Sequence, residues 1–284
     1  MSEKISDYSA FIKLRLSLLV VFSAGIGYLF AAKGPVDWVR FSCLIFAGFL
    51  VTGASNGFNQ VFEKEHDKLM NRTSNRPLPA ERMSRKQGFL LSIIMGVCGL
   101  FILAVFINFL SFLLGLFALT SYAFIYTPLK RKTPFAVFVG AFPGAIPPML
   151  GYVAAAGVID LKALLLFAIQ FIWQFPHFWA IAWVLHEDYQ RAGFKMLPSG
   201  ERDKQSAFQA LVYSAGLIPI SLLPYLFKTV NGWSSFFILV CGIVFLLQSL
   251  NLYRKCDSKA ASRLMFGSFF YLPLVQLLLL FGKI

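Results

Sequence analysis

Residues 88–126 run for 39 positions without one charged side chain. A hydrocarbon bilayer core about 30 Å thick is crossed by roughly 20 apolar residues in a helix, each advancing about 1.5 Å. A single helix of 39 residues would be about twice the membrane, so the run divides into two spans with a tight turn at Asn108. The same reading along the chain gives nine spans: 14–32, 40–60, 88–107, 109–126, 135–156, 163–185, 207–227, 234–252 and 264–281.

Composition agrees with that solvent. Hydrophobic residues make up 58% of the 284 and charged residues only 14%, against roughly a quarter charged in a soluble domain. The expected fold is all-α: a polytopic membrane bundle of nine transmembrane helices, forming one domain over 1–284. The first 13 residues carry acids as well as bases, and the first apolar run has spanning length, so a retained amino terminus is expected rather than a cleaved signal peptide.

With nine spans, the amino terminus and loops 61–87, 127–134, 186–206 and 253–263 share one side. Counting Arg15 at the border of the first span, that side holds 21 of the 26 lysines and arginines. Basic loops mark the cytoplasmic face, which puts the amino terminus in the cytoplasm and the carboxyl terminus outside. The net charge of +13 is then explained by loops facing an anionic leaflet, with no nucleic-acid partner. The four cysteines, Cys43, Cys98, Cys241 and Cys256, have neither zinc-site nor haem-attachment spacing. Phosphate-binding, dinucleotide and hydrolase-elbow motifs are absent from the sequence as well.

What stands out is "NGFNQVFEKEHDKLMNRTSNRPLP" at 56–79, a polar stretch that runs straight on from the second span. If the helix continues, Asn56, Asn59, Glu63 and Asp67 fall at i, i+3, i+7 and i+11 on one face, with Glu65 and His66 pointing elsewhere. Carboxylates and amides in one stripe suit a hard divalent cation, and Mg²⁺ is commonly held by one or two carboxylates plus substrate phosphate oxygens. Arg72 and Arg76 follow, and guanidinium groups grip phosphate oxygens with paired hydrogen bonds. For Lys64, Lys68, Arg82 and Arg85, solvated loop charges pairing with one another are the preferred reading. For Asn59, Glu63 and Asp67 the cost of polar groups at a membrane border favours use: together with the arginines they point to a metal-bridged phosphate ester.

The run "NQVFEKEHDKLMNRTSNRPLP" also resembles the first acidic motif of the UbiA superfamily of intramembrane prenyltransferases, NxxxDxxxD with an arginine-rich tail. Glu63 in the place of its first acid is similar to the branch that farnesylates protohaem IX. "YTPLKRKTP" (126–134), "GAIPPMLGY" (144–152) and "WQFPHFWAIAWVLHEDYQRAGFKMLP" (173–198) extend the likeness over about two thirds of the chain, in order. The superfamily's second acidic motif is often DxxxD. Here Glu187 and Asp188 stand side by side, about 100° apart on a helix, and Asp188 is the residue carried over.

The resemblance implies an enzyme that moves a farnesyl group from farnesyl diphosphate to a vinyl group of protohaem IX, making haem O. In it Asn59, Glu63, Asp67 and Asp188 hold Mg²⁺, while Arg72, Arg76 and Lys130 bind diphosphate. Metal ions and cations of this kind stabilise the charge that grows on a leaving group. His177, as an axial ligand, with Arg191, Lys195 and Lys132 on propionates, would hold the haem, which is a substrate rather than a prosthetic group. The partners implied are farnesyl diphosphate, protohaem IX, the lipid bilayer, and a downstream haem A synthase or haem–copper oxidase assembly. The location implied is the cell inner membrane, with the site facing the cytoplasm.

Two other readings use the same residues. A sibling prenyltransferase acting on an aromatic quinone precursor would share Glu63, Asp67 and Arg72 without needing His177. A transporter would place ionisable groups near the bilayer midplane, whereas every acid here lies at a span border or in a loop.

Overall fold

The structure, a computed structural model, describes residues 2–284. Its helices are α1 (Ser2–Phe11), α2 (Leu14–Ala31), α3 (Trp38–Asp67), α4 (Arg85–Ile102), α5 (Phe109–Thr120), α6 (Thr127–Leu129), α7 (Ala136–Ala156), α8 (Leu161–Val184), α9 (His186–Arg191), α10 (Lys204–Leu226), α11 (Gly232–Lys255) and α12 (Ser258–Phe281). Turns of π-helix, Leu103–Ile107 and Ser121–Tyr126, extend α4 and α5. Among the described residues nine helical stretches are long and apolar enough to cross a membrane, and each coincides with an expected span. The extra feature is α1, a short helix ahead of the first span.

Short polar side chains start most of the spans. Asp37, Asn108, Asp160, Asp203, Asn231 and Asp257 each accept a hydrogen bond from a first-turn amide, and Ser84 forms a capping box with Gln87, satisfying donors that a helix start leaves free. Asn108 makes the expected turn. Its Oδ1 accepts from Ser111 N at 2.8 Å while its Nδ2 donates to Val153 O at 3.0 Å, tying the turn to α7.

The most deeply packed span is α7, and "GAIPPMLGY" lies at its centre. Pro148 has no N–H to give the carbonyl of Gly144, four residues back. Gln170 on α8 supplies the missing donor, its Nε2 lying 2.6 Å from Gly144 O. Freed backbone groups inside a membrane need such a replacement, because no water reaches them. The same glutamine accepts from Gln276 Nε2 on α12 at 2.9 Å, and Gln276 exchanges hydrogen bonds with Ser23 on α2 at 3.0 and 3.1 Å. One buried polar thread thus joins four spans. Between α2 and α7 the backbones touch: a Cβ on Gly151 would lie 1.8 Å from Ala24 O, and one on Gly27 would lie 2.0 Å from Pro148 O. Small residues that let backbones approach are the usual means of packing helices in lipid.

Large apolar side chains point outward along the bundle, Phe101, Phe106, Phe117 and Phe270 among them. Trp38 and Trp233 are exposed at the first turns of α3 and α11, where the aromatic belt of a membrane protein is expected.

The Gly151 contact is testable. Gly151→Leu should lower the melting temperature of detergent-purified protein by an amount corresponding to about 1–3 kcal/mol of overpacking, while Gly216→Leu, at a helical position with open space around it, should not. Equal melting for both variants would show that the α2–α7 approach is not tight.

Candidate active site

The second span does not end at the membrane face: α3 runs unbroken to Asp67. Asn56, Asn59, Glu63 and Asp67 are all buried on its inner side, whereas Glu65 is exposed and His66 partly so. Burying two carboxylates demands counter-charges, and two other segments bring them. Lys130, just after α6, places Nζ 2.6 and 2.7 Å from the two oxygens of Glu63. The Tyr126 and Phe194 rings flank that ammonium at 5.2 and 5.1 Å, which stabilises a desolvated cation.

Arg76 comes from the loop after α3, which folds back on its own helix. Thr73 Oγ1 donates to Asp67 O at 2.8 Å, and Leu78 is buried with Phe11, Val61 and Met83 in a small core of its own. Seated this way, Arg76 Nη1 donates to Asp67 Oδ2 at 2.8 Å. The "RTSNRPLP" tail therefore works as a folded clasp.

A third cation enters from a segment that the sequence reading left unassigned. Lys13 lies between α1 and α2 with φ of 51°, and its Nζ donates to Asn59 Oδ1 at 3.0 Å. Asn59 in turn donates from Nδ2 to Glu63 Oε2 at 2.8 Å and to Thr127 Oγ1 at 3.3 Å. Burial, with Arg76 and Lys130 nearby, holds the Lys13 pKa well below the ordinary lysine value. Its sequence signal was faint: a base at the border of a span is what snorkelling also produces.

Asp188 sits in a second cluster. The chain breaks at Leu185 and restarts as α9, and the Asp188 carboxylate accepts from the backbone amides of Asn71 and Arg72 at 3.2 and 3.3 Å and from Arg191. Burial would raise its pKa, but these donors, Arg191 foremost, hold it below the usual carboxylate value. The residue thus anchors the loop bearing Arg72 to α9. Glu187 points outward to Arg202, 3.4 Å away. Lys195 is exposed, and its backbone N donates to Lys130 O at 2.8 Å.

His177 stands apart from the acids. It is buried on α8, stacked on Trp173 with ring centroids 4.4 Å apart, and its Nδ1 lies 2.7 Å from Ser268 Oγ on α12. Ser268 Oγ donates to Met265 O at 2.5 Å, so it accepts from His177 Nδ1–H. That assignment leaves Nε2 unprotonated, the form in which imidazole binds a metal.

Whether the acid cluster suits a divalent ion can be judged from its unused oxygens. Asp67 Oδ1 is buried without a hydrogen bond, which in a native structure calls for an explanation such as an ion, whereas both oxygens of Glu63 are taken by Lys130. No group of three or more His, Cys, Asp or Glu side chains converges among the described residues. Two carboxylates, one amide oxygen and the oxygens of a bound phosphate form a donor set that fits Mg²⁺.

A helical membrane bundle with buried, paired acids and bases at one end of a span defines the class: an integral membrane protein with a charged cluster at the border of its apolar helices. The chain belongs to the UbiA prenyltransferase family, whose model matches residues 19–273. It is 46% identical over 285 residues to the protoheme IX farnesyltransferase of Cytophaga hutchinsonii, covering 100% of both chains. It is 44% identical to that of Christiangramia forsetii, covering 98% of this chain and 94% of the relative. Among solved structures it is similar to a digeranylgeranylglyceryl phosphate synthase (TM-score 0.82, 21% identity, 99% of this chain and 98% of the other). It is also similar to a UbiA homolog from Archaeoglobus fulgidus bound to GPP and Mg²⁺ (TM-score 0.74, 13% identity, 96% of this chain and 99% of the other). At these identities the two structures share the fold.

Removing one member of a buried pair leaves an uncompensated charge, at a cost of about 3–5 kcal/mol. Arg76→Ala should therefore melt well below wild type in the ligand-free state, and adding Asp67→Asn should restore part of the loss. A double variant that is no more stable than the single would show that Asp67 does not depend on Arg76.

Proposed function

We propose that the protein transfers a farnesyl group from farnesyl diphosphate to a vinyl group of protohaem IX, giving haem O and diphosphate. The observation that carries the donor half is the continuous array Lys13–Asn59–Glu63–Lys130 beside Asp67–Arg76, which offers three cations and two carboxylates, Asp67 with one oxygen unused, in one buried place. The acceptor half rests on the full-length relatives named for that reaction.

In this reading Lys13, Arg72, Arg76 and Lys130 grip the diphosphate. Glu63 and Asp67, with Asn59 and, across the α9 contact, Asp188, are the residues that would hold Mg²⁺, which neutralises the leaving group when bound. In the ligand-free protein Lys130 and Arg76 occupy the carboxylates. Diphosphate draws these cations to its own oxygens and so frees Glu63 and Asp67. The carbon–oxygen bond of the allylic ester then breaks with its electron pair on diphosphate, a charge that Lys130 and Arg76 stabilise. The vinyl π electrons form the new carbon–carbon bond, and water adds to the resulting cation with loss of a proton. The unprotonated Nε2 of His177 is the candidate axial ligand for the iron, with Arg191, Lys195 and Lys132 available to propionates.

The basic loops at the same end as the acids support a multi-pass protein of the cell inner membrane with the site on the cytoplasmic side. Haem O is then the product that a haem A synthase or haem–copper oxidase assembly takes up.

Membranes supplied with radiolabelled farnesyl diphosphate should label added haem and leave 4-hydroxybenzoate unlabelled. Glu63→Gln, which keeps size and removes charge, should lower that labelling by about a hundredfold or more. Labelling of the benzoate alone would move the protein to the aromatic-acceptor branch, and near-normal labelling by Glu63→Gln would remove the metal role. For the acceptor site, His177→Ala should weaken haem binding in a Soret titration and shift its spectrum while leaving diphosphate affinity unchanged. An identical spectrum would make His177 purely structural.

A further inference from the structure

The break between α1 and α2 is built with more care than a surface turn needs. Lys13 takes the left-handed conformation, which L-residues other than glycine avoid, and interrupting the helix there deprives the carbonyls of Ala10, Phe11 and Ile12 of their i+4 amides. Side chains from α3 replace those donors. Gln60 Nε2 donates to Ala10 O at 3.2 Å and Phe11 O at 2.5 Å, and Asn56 Nδ2 donates to Ile12 O at 3.2 Å and to Ser17 Oγ, also at 3.2 Å. Ser17 Oγ donates to Ile12 O at 2.8 Å. Packing fixes the same turn: Phe11 is fully buried, and a Cβ on Gly57 would come within 2.7 Å of its ring. Gln60 Oε1 is buried without a partner, so the side chain is held there for its amide.

Asn56 and Gln60 flank Asn59 on α3. One helix therefore carries both the acceptor of the Lys13 ammonium and the two amides that hold the three carbonyls just ahead of Lys13. Asn56 belongs by spacing to the metal stripe, yet its side chain is spent on the turn. We propose that Asn56 and Gln60 are positioning residues for diphosphate: they clamp the Ala10–Lys13 turn so that the Lys13 ammonium is delivered into the acid cluster, making α1 a working part of the site. This rests on the reading of that cluster as a diphosphate site.

The test uses inorganic pyrophosphate with Mg²⁺ as the probe on the full-length purified protein, with binding followed by calorimetry. Wild type should bind; if it does not, the diphosphate reading itself fails and the clamp with it. Given binding, Gln60→Ala should weaken it about tenfold, as loss of an outer support typically does. The same substitution made in a Lys13→Met background should change affinity by less than twofold, because its effect runs through Lys13. Asn56→Ala should repeat the pattern, and serves alone if Gln60→Ala does not fold. An equal loss in both backgrounds would overturn the proposal. An independent reading needs no variant: pyrophosphate should slow hydrogen exchange of the amides at residues 10–13 in the wild-type protein, and unchanged exchange there would count against the clamp.

Discussion

A carboxylate placed where a helix leaves the bilayer has little water to solvate it, and two such groups lie within a helical turn of each other on α3. Glu63 and Asp67 are tolerable there because Lys130 and Arg76 meet them at hydrogen-bond distance. Everything local serves that neutralisation. The loop after α3 folds back so that Arg76 reaches Asp67, the segment after α6 delivers Lys130, and the α1–α2 turn supplies Lys13. Under the proposed function each cation is also a phosphate ligand. In that reading the pairing that neutralises the ligand-free cluster is the pairing that an anionic substrate must rearrange, so part of its binding energy goes into exchanging partners.

The bundle around this cluster has a different task, which is to stay closed without water. Proline in α7 would leave a carbonyl bare in the interior, and Gln170 removes the problem by donating to Gly144 O. Because that glutamine also joins Gln276 and Ser23, a local defect becomes a cross-link between spans. A proline-rich helix at the centre and a glycine-mediated approach to α2 are two parts of one packing solution.

How far the sequence carried can be judged residue by residue. The spans were legible because bilayer thickness and helical rise set their length, and the Asn108 turn followed from the same arithmetic. The stripe on α3 was legible because i, i+4 spacing survives beyond the membrane. Lys13 was not, because its contact with Asn59 spans 46 residues and hangs on one left-handed residue that no periodicity reveals. Asn56 fitted the stripe by spacing and proved to be capping carbonyls of another helix. For Asp188 the family likeness supplies the metal role, while the 71–72 backbone amides and Arg191 that its oxygens accept from were not legible, because backbone donors carry no side-chain signature. His177 was singled out by type, but its partner Ser268 lies 91 residues away, beyond any local pattern.

The unbroken course of α3 has one more implication. Thirty residues of helix make a rod about 45 Å long, with its middle held in hydrocarbon and its acids at the tip. Nothing flexible separates the two parts, so the height of the acids above the lipid is set by how the apolar section fits the bilayer. In a thicker or thinner membrane the rod must tilt or the lipid must adapt, and either response moves the acids relative to the head-group layer. Lipid acyl-chain length thereby acts on this site as a mechanical input, through the helix that carries it.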